Sequence, residues 1–319
     1  MMSQSASFGR VGVLFGGRSS EREISLMSGR AVLEALRGQG VDAHAFDPGL
    51  QPIGELERSG FDRAFIALHG RFGEDGTIQG VLETLRIPYT GSGVQASAVA
   101  IDKLATKRLW AWASIPTPRW LELGAGSDWD QVAADLGGSL IVKPRSEGST
   151  IGITKVARAS RGELERARRE ALRYDSCVFA EELVVGRELT CAILGQASQA
   201  RALPLVEICA PQANYDYHSK YFSDETKYLC PAPIDADLAQ RIQALCVQAY
   251  RAIGARGWGR IDLMLRPTGG GLEPQLLELN TSPGMTGHSL VPMAARQCGM
   301  SFPELVITIL SQAALEVAA

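Results

Sequence analysis

The sequence predicts an α/β fold, with an N-terminal parallel-sheet domain followed by a region of α+β character. Three observations carry this. Apolar strands alternate with helical patterns through residues 10–100. Ile115-Pro-Thr-Pro118 interrupts that alternation. Beyond it, strand-like runs sit next to one another with only glycine-bearing turns between them. A length of 319 residues allows two domains, or three small ones.

Taken in order, Arg10–Phe15 reads as a strand and Gly16–Ser20 as its turn. Ser20 and Glu23 have capping-box spacing and open a helix through Leu36. Arg63–Leu68 is a second strand, followed by the loop HGRFGEDG and a helix near Ile78–Leu85. Ligands bind at the carboxyl ends of such strands, which places Glu21 and His69 in candidate positions. After the prolines, Ser139–Pro144 and Ile151–Val156 form a hairpin around the loop RSEGST. A charged helix spans 162–174. Strands follow on either side of Val185-Gly186. The aromatic and charged stretch from Ala213 to Tyr228 has no period and is expected to be a lid loop. Leu238, Ile242, Leu245, Ala249 and Ile253 recur at helical spacing. Two strands, a loop and helices near 292–298 and 303–317 close the chain.

Charge is near balance at −3, so no basic footprint for nucleic acid exists. No apolar run approaches the ~20 residues of a membrane span, and no signal peptide is evident. The six cysteines include no Cys-x-x-Cys pair and read as reduced thiols in the cytoplasm. Lysine and arginine total 32, yet lysine stands only at 103, 107, 143, 155, 220 and 227. His44 and His218 read as surface residues, Met285 and Met293 as packing.

Two strands near the C-terminus have chemistry in their alternation. In GWGRIDLML, Arg260, Asp262 and Met264 share a face; in QLLELN, Leu276, Glu278 and Asn280 do. A hairpin symmetric about Gly270 sets Asp262 opposite Glu278 and Arg260 opposite Asn280. It also sets Ile261 opposite Leu279 and Leu263 opposite Leu277. Like charges directly opposite destabilise a sheet pair. The pair therefore requires a shared proton or a cation, unless Arg260 simply neutralises Asp262. With oxygen ligands only, the cation is a hard one, Mg²⁺ or Mn²⁺.

WGRIDLML, LLELNTSPGMTGHSLVPMAARQ, FGGRSSEREISLMSG, ALHGRFGEDG, YTGSG, VKPRSEGS and YDYHSKYFSDET resemble, in order and across essentially the whole chain, the D-alanine–D-alanine ligases. These belong to the ATP-grasp superfamily, and the likeness is to their shorter bacterial form. The resemblance implies an N-terminal α/β domain (residues 1–100) followed by a two-lobed ATP-grasp module. Its central subdomain would be 101–184 and its C-terminal subdomain 185–319, with the lid loop at 211–229. It further implies that Asp262, Glu278 and Asn280 hold two Mg²⁺ or Mn²⁺ ions. Lys103, Lys143 and, from the lid, Lys220 would contact ATP phosphates under the loop that carries Ser149. Adenine would lie along Glu181, Glu182, Leu183 and Val184, with Glu188 on the ribose. There is no Gly-Lys dipeptide for a Walker loop, and FGGRSS lacks the dinucleotide GxGxxG pattern.

The implied reaction joins two D-alanines through an acyl phosphate, for peptidoglycan precursors of the bacterial cell wall. Glu21 would hold the first ammonium and be linked to Ser149 and Tyr221. Arg260 and the Gly284 N–H would stabilise the oxyanion. Ser289 and the Leu290 N–H would hold the second carboxylate. His69 would either deprotonate the incoming amine or orient substrate. The family is commonly a homodimer. Two rivals stand beside this reading: a ligase joining D-alanine to D-lactate, and a non-catalytic ATP-binding protein of the same fold.

Overall fold

A computed structural model describes residues 8–210 and 226–316. Three sheets organise it. The first is parallel, in the order β2-β1-β3, from β1 (Arg10–Leu14), β2 (Asp42–Phe46) and β3 (Arg63–Ile66). Valines and alanines with no room for water, Val11, Val13 and Ala64 among them, explain why these short runs are buried on both faces. Helix α1 (Arg22–Gly38) covers one face; α2 (Glu55–Arg58) and α3 (Thr77–Thr84) cover the other.

The start of α1 departs from the capping-box expectation. Glu21, not Ser20, occupies the cap position, and no side chain caps the helix. The Ser19 hydroxyl accepts the Glu21 N–H at 3.2 Å and donates to the His69 carbonyl at 2.8 Å. That turn delays the helix by one residue and leaves the Glu21 carboxylate facing inward, where it is 7% exposed. The same Ser-x-x-Glu pattern does form a capping box at Ser301 and Glu304.

Helices α4 (Val94–Ile101) and α5 (Lys103–Trp112) lead into the second sheet. It is antiparallel, in the order β4-β7-β5-β6, from β4 (Trp120–Glu122), β5 (Leu140–Pro144), β6 (Thr154–Val156) and β7 (Val178–Glu182). The expected β5/β6 hairpin is present, with Leu140 opposite Val156. Helices α6 (Trp129–Leu136) and α7 (Arg161–Ala171) bury Val132, Leu136, Leu164 and Ala167 against it.

Val185 and Gly186 carry the chain from β7 into the third sheet, ordered β11-β10-β8-β12-β13 with β9 paired to β8. Its strands are β8 (Arg187–Leu194), β9 (Arg201–Ala202), β10 (Val206–Cys209), β11 (Lys227–Leu229), β12 (Trp258–Thr268) and β13 (Gly271–Asn280). The lid expected over 211–229 therefore ends sooner: Lys227–Leu229 pair with β10, while 211–225 lie outside the described residues. Helix α8 (Ala236–Ala252) packs on this sheet, and the Trp110 indole donates to the Ala249 carbonyl at 3.1 Å to fix α5 against it. Helices α9 (Leu290–Gln297) and α10 (Phe302–Leu310) return to the first sheet. The second ends well before 317 because the chain turns there to pair Ala314 with Tyr89, itself beside Ala64 of β3. All six cysteines are free.

The β12/β13 ladder keeps part of the predicted register. Arg260 faces Asn280, Ile261 faces Leu279 and Asp262 faces Glu278. Leu263, however, faces Leu276 rather than Leu277, because a bulge follows Asp262 and the strand turn is centred half a residue earlier. The extra residue lets Leu276 and Leu279, three apart, both enter the core, while Leu277 is only partly buried. Leu276→Ala is expected to cost about 2–5 kcal/mol of stability in urea unfolding. Leu277→Ala is expected to cost about 1 kcal/mol or less. Equal losses would contradict the bulge.

Candidate active site

Four polar side chains gather at the open end of the β12/β13 ladder. The Arg260 guanidinium closes on Asp262 with both arms, Nε at 2.8 Å and Nη2 at 2.7 Å. Thr190 of β8 donates its hydroxyl to Asp262 at 2.8 Å, and the Asn280 amide donates at 3.1 Å. Glu278 meets the ammonium of Lys103, at the start of α5, at 3.1 Å. Lys103 is buried, which favours its neutral form, but the charge and hydrogen bond of Glu278, together with the charges of Glu21 and Glu181, outweigh this and raise its pKa. Glu188 lies two residues before Thr190 on β8, so the alternation puts it on the same face as Thr190.

A second charge cluster joins the second sheet to α5. Glu181 is buried between Lys143 and Lys107, the latter at 2.9 Å. Burial would raise the Glu181 pKa, yet the two ammonium groups hold it below the usual carboxylate range. Lys107 also donates to Thr117 Oγ1 at 2.7 Å and lies 5.4 Å above the Trp120 ring. The next residue, Glu182, ties the sheets together: Arg119 holds it at 3.0 Å and Arg266 of β12 at 2.5 Å. The Glu182 and Leu183 N–H groups donate to the Arg119 and Ser139 carbonyls, and Val184 is buried.

The loop after β5 closes over Glu21. Ser149 donates its hydroxyl to the Glu21 carboxylate. Ser149 and Thr150 both have left-handed backbone, with φ of 51° and 66°. Side chains adopt this at a cost of order 1–3 kcal/mol each, a pattern common at ligand clamps. The loop is tied down on both flanks. Lys103 donates to the Glu147 carbonyl at 2.7 Å, Arg71 holds the Glu147 carboxylate at 2.9 Å, and Asp175 accepts the Ser146 N–H at 2.9 Å. A Cβ on Gly148 would meet the Glu21 carboxylate at 2.9 Å.

The stretch after β13 supplies the last part. His69 is buried; its Nδ1 contacts the Ser282 carbonyl at 2.8 Å, and its Nε2 contacts the Ser28 hydroxyl at 3.1 Å. A carbonyl only accepts, so Nδ1 carries the proton and Nε2 accepts from Ser28. Burial lowers the His69 pKa, against the charge of Glu21. Glu74 accepts the Gly70 N–H at 2.7 Å and the Ser282 N–H at 3.1 Å. Burial, with Glu21 nearby, pushes its pKa up to about 8. A cavity of about 30 Å³ joins Glu74 to Lys103, Gly148, Glu278 and Asn280. Gly284 is buried, and a Cβ there would meet Ser289 Oγ at 2.9 Å. Ser289 caps no N–H of α9 with its side chain, so the helix presents its positive end beside Gly284.

The D-ala D-ala ligase C-terminus model matches residues 109–311, and the N-terminus model matches 48–92. The chain belongs to the D-alanine–D-alanine ligase family. A D-alanine–D-alanine ligase of Ralstonia pickettii is 62% identical over 97% of this chain and 92% of its own length. One from Ralstonia nicotianae is 61% identical over 98% and 93%. The crystal structure of the Bacillus anthracis D-alanine–D-alanine ligase complexed with ATP superposes with a TM-score of 0.80. It is 31% identical and covers 95% of this chain and 96% of that one.

For a D-alanine–D-alanine ligase, the described residues bring together most of what the sequence singled out. Ser149 meets Glu21, His69 meets the loop that carries Gly284, and Asp262, Glu278, Asn280, Arg260 and Lys103 meet at the ladder. Lys220 and Tyr221 lie outside the described residues. Sequence reasoning gave no role to Lys107, Glu74, Ser28 or Thr190. The scarcity of lysine pointed at Lys107; the other three carried no signal, because their partners are distant in the chain. The His69 ring is expected to stay neutral, with its proton on Nδ1, below its ordinary titration near 6.5. Long-range ¹H–¹⁵N spectra of the ring would contradict this if they reported an Nε2-protonated tautomer.

Proposed function

We propose that this chain joins two D-alanines into D-alanyl-D-alanine at the expense of ATP, forming ADP and phosphate, for peptidoglycan precursor synthesis. The observation that carries the reading is the continuous line of chemistry from Asp262, Glu278 and Asn280 to Gly284 and the start of α9, with Ser149 and Glu21 beside it. We place the activity in the cytoplasm and, by family analogy, in a homodimer. Among the described residues no helix is long and apolar enough to cross a membrane.

Asp262, Glu278 and Asn280 offer only oxygen ligands once Asn280 turns its carbonyl inward, which is what Mg²⁺ or Mn²⁺ takes. Their two carboxylates are paired with Arg260 and Lys103, so the site already concentrates negative charge that a cation would meet. Asp262, Glu278 and Asn280 would hold two such ions, which would offset charge as the γ-phosphoryl moves. The ATP phosphates are read against Lys103, Lys143, Ser149 and, from the lid, Lys220. Adenine is read along Glu181–Val184, with Glu188 on the ribose.

Glu21 holds the ammonium of the first D-alanine, and Ser149 orients Glu21; Tyr221 completes that link from the lid. The first D-alanine's carboxylate oxygen attacks the γ-phosphorus, and the bond from that phosphorus to the β-phosphate oxygen breaks, releasing ADP. The second D-alanine, its carboxylate held by Ser289 and the Leu290 N–H, loses a proton and attacks the acyl carbon. The C–N bond forms, negative charge collects on the carbonyl oxygen, and the C–O bond to phosphate breaks. Arg260 and the Gly284 N–H face that oxygen; one such donor contributes about 3 kcal/mol. Both nitrogens of His69 already have partners, which supports an orienting role for it over a base.

ADP release should require both D-alanine and Mg²⁺. Absence of D-alanine-dependent turnover would refute the reading, and tight ATP binding without phosphate transfer would indicate a binding protein instead. Preference for D-lactate over D-alanine as acceptor near neutral pH would assign the depsipeptide reaction. Glu278→Gln should weaken use of Mg·ATP by at least the roughly 10–100-fold that loss of an outer-shell partner costs. D-alanine binding should change far less; an unaltered magnesium dependence would remove Glu278 from the metal site.

A further inference from the structure

Gly284 is the residue whose N–H the proposed reaction needs at the acyl carbon, and glycine is the softest backbone in the chain. Something has to aim it. Ser282, two residues earlier, is held at both its polar backbone atoms by one loop: its N–H by Glu74 at 3.1 Å and its carbonyl by His69 Nδ1 at 2.8 Å. Pro283 between them has a fixed φ and no N–H to misdirect. On the far side, the Met285 N–H donates to Ser28 Oγ at 3.0 Å, and Ser28 donates to His69 Nε2 at 3.1 Å. The backbone at Ser282 and at Met285, on either side of Pro283-Gly284, is thus held by three side chains from the first sheet's loops and α1. Within that bracket Glu74 alone joins two N–H groups, Gly70 at 2.7 Å and Ser282, on separate oxygens. It fixes the distance between the loop that carries His69 and the loop that carries Gly284.

We infer that Glu74 is a positioning residue for the oxyanion-binding loop, acting through Ser282 on the Gly284 N–H. This rests on the ligase reading above. A carboxyl group is required because each of its two oxygens accepts one N–H. Glutamine would turn an NH₂ group toward one N–H, and aspartate is a methylene too short to span both.

The consequence separates the two chemical steps. Phosphorylation of the first D-alanine places no new charge on its carbonyl oxygen, whereas attack by the second amine does. In Glu74→Gln, acyl phosphate formation, trapped with hydroxylamine as the hydroxamate from D-alanine and Mg·ATP, should change by less than about threefold. Dipeptide formation should fall about 10–100-fold in kcat, with the KM for ATP nearly unchanged. Ser28→Ala should show the same selective loss from the other side of the bracket. Loss of neither step, or an equal loss of both in protein with a wild-type melting curve, overturns the inference. Should Glu74→Gln fail to fold, Glu74→Asp is read by the same criteria. A wild-type protein that makes neither product would instead refute the ligase reading, and with it this inference.

Discussion

Two carboxylates, Asp262 and Glu278, face each other across a β-ladder, and much of the surrounding structure answers their repulsion. Asp262 is met by the forked Arg260, by Thr190 and by Asn280. Glu278 is met by Lys103. Each answer constrains something else. Thr190 fixes β8 against β12. Lys103 brings the start of α5 to the ladder, and the same ammonium reaches the Glu147 carbonyl, so the loop that covers Glu21 is anchored to the ladder too. One electrostatic conflict therefore links all three sheets.

The ladder also shows how far alternation can be read. Residues 260–262 and 278–280 pair as a symmetric hairpin demands, because the polar face leaves only one register that keeps Ile261 and Leu279 inside. Toward the turn the reading fails by one residue. Nothing in Leu276-Leu277 says which leucine is buried, and a two-residue turn at Gly269-Gly270 requires a bulge to restore the phase. The last helix failed similarly: 311–316 is apolar enough to continue it, but an edge beside Tyr89 competes for the backbone and wins. Ser20 and Glu23 met the spacing of a capping box, and a contact 50 residues away, Ser19 to the His69 carbonyl, moved the helix start instead.

Those failures share a cause with the residues that went unassigned. Local propensity and period report on neighbours a few positions apart. Glu74 acts on Ser282, Ser28 on Met285, and Thr190 on Asp262, each across a separation that spacing cannot see. The facing of Asp262 and Glu278, and of Arg260 and Asn280, was readable because these residues sit on two strands joined by one turn. Glu21 was a candidate from its place at the carboxyl end of a strand, but its link to Ser149 was readable only through resemblance, since that contact spans two sheets. The left-handed Ser149 and Thr150 were not readable at all: glycine is the usual mark of that backbone, and here it stands one residue before and two after.

The choice between lysine and arginine follows the same logic of what must stay and what must exchange. Arginine makes the permanent ties: Arg22 to Asp47 and Arg187 to Glu207, where a planar fork locks onto a carboxylate, and Arg119 with Arg266, one to each oxygen of Glu182. Lysine, rare in this chain, stands buried at Glu278 and twice at Glu181. An ammonium is a point charge with three donors and no preferred plane, so it can pass from a carboxylate to a phosphate by small rotations. A guanidinium in the same place would have to break two parallel bonds at once. Lys103 and Lys143 thus stand buried where the proposed nucleotide would arrive, with glutamates holding the place of its phosphates. Arg260 is the exception that fits: its partner Asp262 stays beside it, and its proposed task is to remain pointed at one oxygen.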